Sequence, residues 1–69
     1  MRDLHEVRSA LVTELGGEDR LPMISARLIL RTGVSLTSVD PRTSGDNQRL
    51  GKVLTALREM GFLLQERVR

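Results

Sequence analysis

The chain has 69 residues and a mass of 7.7 kDa, which is enough for one small domain and no more. With no Cys, Trp or Tyr, one Phe and one His, its core must be aliphatic, and a disulfide scaffold, a thiolate zinc site and a cysteine nucleophile are all excluded. Eleven cations against nine acids leave a net charge of +2, too little for a polybasic tail, and a domain this small has little room for a deep substrate cleft beside its core.

From Leu4 to Leu15 the apolar residues Leu4, Val7, Leu11 and Leu15 fall on one face of a 3.6-residue helix, with Ala10 beside them. Asp3 with Glu6 three residues later resembles a capping box, and Gly16 and Gly17 supply a left-handed stop. A second helix is expected over about 22–31, opened by Leu21 and Pro22 and closed by Thr32 and Gly33, with Leu21, Ile24 and Leu28 as its buried side. The run Leu28-Ile29-Leu30 also fits a short buried strand.

Residues 33–45 carry Gly, Ser, Thr, Asp and Pro with only Val34, Leu36 and Val39 to bury, so they read as a connection. Val34 and Leu36 suggest a strand-like step within it, and Asp40-Pro41 a turn. The clearest element is a helix over about 46–60, capped by Ser44 or Asp46, in which Leu50, Val53, Leu54, Leu57 and Met60 form an apolar stripe ended by Gly61. Phe62, Leu64 and Val68 then alternate with other residues, which predicts one half-buried strand.

No apolar run approaches the roughly 20 residues of a membrane span, and no charged-then-apolar leader opens the chain, so a soluble cytoplasmic protein is expected. Charge is uneven along the sequence. Residues 1–34 hold five Arg and five acids, whereas residues 35–69 hold five Arg and Lys52 against Asp40, Asp46, Glu59 and Glu66, so the excess lies in the second half.

Helix, helix, polar connection, longer helix with a cationic face, then a strand: this order predicts a mainly α, three-helix domain of the winged helix-turn-helix kind, with a short C-terminal β-strand or small hairpin. The third helix would be the recognition helix. At about 100° per residue, Gln48, Lys52, Thr55 and Glu59 fall opposite its apolar stripe, with Arg49 and Ala56 on one flank and Gly51 and Arg58 on the other. Gln suits adenine, Arg and Lys suit guanine, and a Thr methyl suits thymine, so Gln48, Arg49, Lys52 and Thr55 have the chemistry to read a major groove. Arg42, Ser44 and Asn47 at the helix start could hold a phosphate, and Arg67 and Arg69 would be wing contacts to the DNA backbone.

Plainer readings stand beside these. A charged outer helix face is commonly just solvated, and Gly51, unfavourable inside a helix, is explained either by close packing on the second helix or by backbone approach to DNA. His5, between Asp3 and Glu6 in a first helical turn, reads as a surface residue. No serine sits on a nucleophile elbow, and the glycines lack the spacing of a nucleotide-binding loop, so no enzyme, metal site or small-molecule cofactor is expected.

The stretch from Ser44 to Phe62, through Arg49-Leu50-Gly51-Lys52 and Met60-Gly61-Phe62, resembles the C-terminal part of phage- and plasmid-type primase–helicase proteins, including the virulence-associated protein E group. The resemblance implies a DNA-binding winged helix appended to a replication ATPase, with primase and helicase activities located outside these 69 residues. A complete wing needs a second strand, and the sequence ends at Arg69 before one can form. The partner strand would therefore be Val34–Leu36, or the chain is a fragment of a longer protein. Double-stranded DNA is the expected partner. A stand-alone transcriptional regulator, or a protein-interaction domain using Val12, Ile29 and Leu63, are the alternatives, and the first helix offers a face for homodimerisation.

Overall fold

Residues 3–38 and 47–64 are described by the computed structural model, Asn47 by its backbone alone. They form three helices: α1 (Leu4–Leu15), α2 (Leu21–Thr32) and α3 (Asn47–Glu59). These bounds lie within about one residue of those the periodicity predicts, and the alternative strand at Leu28–Leu30 is excluded, since those residues continue α2.

Each helix is delimited by local chemistry. Asp3 is extended and its carboxylate accepts from the Glu6 amide at 3.0 Å, satisfying one of the amides that have no partner inside α1. At the other end Gly16 takes φ 80°, where a side chain would be strained. This lets Gly17 donate to the Val12 carbonyl at 3.1 Å and close the helix. In α2 the Thr32 hydroxyl donates to the Leu28 carbonyl at 2.8 Å and accepts from the Val34 amide at 3.1 Å, so one side chain both ends the helix and aims the chain leaving it. At the end of α3, Gly61 at φ 98° allows the Phe62 amide to reach the Leu57 carbonyl at 3.0 Å.

The helices enclose one aliphatic core. α1 contributes Leu4, Val7 and Leu11; α2 contributes Leu21, Ile24 and Leu28; α3 contributes Leu50, Val53, Ala56 and Leu57. Val34 and Leu36 cover it from the segment after α2, and Leu64 closes it from below α3. α2 is the central element, packed against α1 and more extensively against α3. The hidden faces are largely those the spacing marks, but Leu15, Leu54 and Met60 are only half-buried, whereas Ser25 and Ala56, which the spacing does not place inside, are buried.

The strand expectations fare differently. Val34 and Leu36 point inward around a less buried Ser35, yet they form no strand among the described residues. Instead the Leu36 amide is bound by the buried Ser25 hydroxyl of α2 at 3.3 Å, a side-chain bond that replaces a ladder. Phe62 to Leu64, the described part of the expected C-terminal strand, also carries none; residues 65–69 lie outside the described residues. The physical reason is visible at Leu64, whose φ of 49° turns the chain out of an extended path, while the Leu63 and Leu64 amides are both held by the Glu14 carboxylate of α1. Over Phe62–Leu64 the inward–outward alternation belongs to a segment tied down by Glu14.

Candidate nucleic-acid interface

α3 buries Leu50, Val53 and Leu57 and thereby holds the opposite side of the helix to solvent. Gln48, Arg49, Gly51, Lys52, Thr55, Arg58 and Glu59 are all exposed there. Five of them, Gln48, Gly51, Lys52, Thr55 and Glu59, line one open groove together with Ala56, and Arg31 and Thr32 at the C-terminal end of α2 form its other wall. Arg49 is exposed outside this lining, although it shares a flank of α3 with Ala56. Of the other residues singled out from sequence, Arg42, Ser44, Arg67, Arg69 and the Asn47 side chain lie outside the described residues, as do the caps Ser44 and Asp46.

Arg31 was not among the residues the sequence marked. Its Nη1 lies 3.7 Å from Glu59 Oε1, so the C-terminal end of α2 and the last turn of α3 are joined by an ion pair across the groove. Both side chains are more than half exposed, and water and salt leave such a pair worth about 1 kcal/mol or less. The only available signal was weak: Arg31 lies two positions before Gly33, where a basic residue also favours a helix C-terminus.

Gly51 overturns one expectation. A Cβ at this position would meet nothing within 4 Å, so close packing on α2 is not what glycine serves here. The residue sits mid-helix and exposed, at a cost of about 1 kcal/mol relative to alanine, and a Cβ there has no neighbour among the described residues. The close approach to α2 is made one turn later by Ala56, which is buried.

Charge separates by structural element more sharply than by half of the sequence. The described stretch from Asp3 to Arg20 carries Asp3, Glu6, Glu14, Glu18 and Asp19 against Arg8 and Arg20. α2 and α3 together carry Arg27, Arg31, Arg49, Lys52 and Arg58 against Glu59 alone. Dividing the sequence at residue 34 hides this, because it assigns Arg31 to the neutral half although it lines a groove with Lys52 of α3.

Other surfaces are apolar. Leu30 is 88% exposed, and Met23 and Ile29 are also exposed on the outer side of α2; Leu63 is exposed after α3. Val12, expected among these, is half-buried against the core. His5 is exposed on α1. No helix among the described residues is long and apolar enough to cross a membrane. A scan of protein-family models, a search of curated proteins and a search of solved structures each return no match.

Proposed function

We propose that this domain binds duplex DNA through the outer face of α3, as a helix-turn-helix module of the winged kind. The observation that carries the reading is the exposed file of Gln48, Gly51, Lys52 and Thr55 directly behind the buried Leu50, Val53 and Leu57. A major groove admits one helix, and this one offers donors and a methyl group to base edges from its N-terminal half. The cations of α2 and α3 supply phosphate contacts, which provide most of the affinity and none of the sequence discrimination. In this reading Arg42, Ser44 and Asn47 add phosphate contacts at the start of α3, and Arg67 and Arg69 add them from a wing.

The context we favour is a cytoplasmic replication protein of the phage or plasmid primase–helicase type, supported by Arg49-Leu50-Gly51-Lys52 and Met60-Gly61-Phe62. A transcriptional regulator would use the same face. A domain that docks another protein is the second reading, and it draws on the exposed Met23, Ile29 and Leu30 of α2. Titrating a labelled duplex at 50 mM and 200 mM salt separates them. Phosphate neutralisation requires affinity to fall steeply as salt rises, whereas an apolar docking surface gives no duplex binding at either concentration.

A further inference from the structure

We infer that the groove between the C-terminal end of α2 and the outer face of α3 seats a sugar–phosphate backbone, with Arg31 and Lys52 as its two cations and the exposed Gly51 in its lining. This rests on the DNA-binding reading and names the part of the duplex that enters the groove. Among the described residues Gly51 has no packing partner, since an added Cβ would meet nothing within 4 Å, and its helical backbone does not require glycine. The missing side chain instead leaves bare helix backbone in the groove lining, where an incoming chain can approach more closely than over a residue that carries a side chain.

The walls fit a phosphodiester. Lys52 follows Gly51 on α3, and Arg31 reaches in from α2. The planar guanidinium of Arg31 has more donors than its single 3.7 Å contact with Glu59 uses, and its fork matches two phosphate oxygens. Glu59 holds Arg31 across the groove in the free protein and competes with phosphate for it. An acidic peptide is a poorer occupant: among the described residues Ala56 is the only hydrophobic one in the lining, and it offers little to an apolar anchor.

The test compares the parent chain with Gly51→Ala, Gly51→Leu, Arg31→Gln, Glu59→Gln and Lys52→Ala, using anisotropy of a labelled duplex at several salt concentrations and thermal melts by circular dichroism. Gly51→Ala should melt at or above the parent temperature yet bind the duplex more weakly, and Gly51→Leu should bind about tenfold more weakly or worse. Arg31→Gln should weaken binding and lower the salt slope by about one, and Glu59→Gln should tighten binding several-fold. If Gly51→Leu and Arg31→Gln bind like the parent while Lys52→Ala does not, the groove assignment is overturned and DNA binding by α3 stands. A parent chain that binds no duplex at either salt removes both. Competition by polyglutamate as effective as unlabelled duplex also overturns the assignment.

Discussion

Leu64 donates its backbone N–H to Glu14 Oε1 at 2.7 Å across fifty residues of sequence, and Leu63 donates to the other oxygen of the same carboxylate at 2.9 Å. One side chain at the C-terminal end of α1 therefore fixes the chain as it leaves α3. The pairing lets Leu64 enter the core, 4% exposed, at a backbone angle of φ 49° that costs a residue with a side chain about 1–2 kcal/mol. Burial of the leucine side chain, about 1.5–3 kcal/mol, offsets that strain once the amides are satisfied.

Glu14→Ala should therefore cost more than an ordinary change at an exposed position. Two amides lose a charged acceptor near the core, and a destabilisation of about 1–3 kcal/mol is expected, with a lower melting temperature. Amide hydrogen exchange should show Leu63 and Leu64 losing protection while Val7 and Leu11 keep theirs. A melt unchanged from the parent would show that the Glu14 tether contributes nothing.

Ser25 has a comparable role inside the molecule. It is 2% exposed, and its hydroxyl oxygen accepts from the Leu36 amide at 3.3 Å, pinning the segment that follows α2 over the core. Ser25→Ala leaves that buried amide without its acceptor, and a loss of about 1–3 kcal/mol is expected in a urea unfolding curve. Ser25→Thr keeps the oxygen and should recover part of the loss if the extra methyl is accommodated.

Both tethers explain where the sequence was legible and where it was not. The helices were readable because each carries its own instructions: Asp3 and Gly16 bound α1, and the spacing of Leu50, Val53 and Leu57 marks the inner side of α3. The outward position of Gln48, Lys52 and Thr55 followed from that spacing alone. Ser25–Leu36 and Glu14–Leu64 were not readable, because they join residues far apart in sequence and a lone Ser or Glu on a helix has no local pattern. The same blindness read Phe62–Leu64 as extended and left Arg31 out of the groove beside α3. For Gly51, local propensity signalled an anomaly correctly, but the side to which its missing Cβ opens required the positions of the neighbouring helices.

The core stripe of α3 is graded, and stability should follow the grading. Leu57 is fully buried, so Leu57→Ala should cost about 2–5 kcal/mol through lost burial and the cavity left behind. Leu54 is half-buried at the edge of the same stripe, and Leu54→Ala should cost clearly less than that. Chemical denaturation of the two variants checks the order. Equal losses would show that stability does not follow the graded burial of this stripe.

Lys52→Ala and Arg49→Ala separate binding from folding, since both residues are exposed on α3 and neither is part of the core. Each should leave the circular dichroism spectrum and melting temperature near those of the parent. If Lys52 lies against phosphate, its loss should weaken all duplexes about equally and reduce the salt slope by about one. Arg49, on the flank of the helix, behaves the same way if it meets phosphate; if it meets a guanine edge, its loss should cost about 1–3 kcal/mol only on duplexes carrying that base. Comparing the two variants on a mixed-sequence and a selected duplex therefore assigns each cation to backbone or base. Unchanged affinity in both, with folding intact, would remove α3 from the DNA contact.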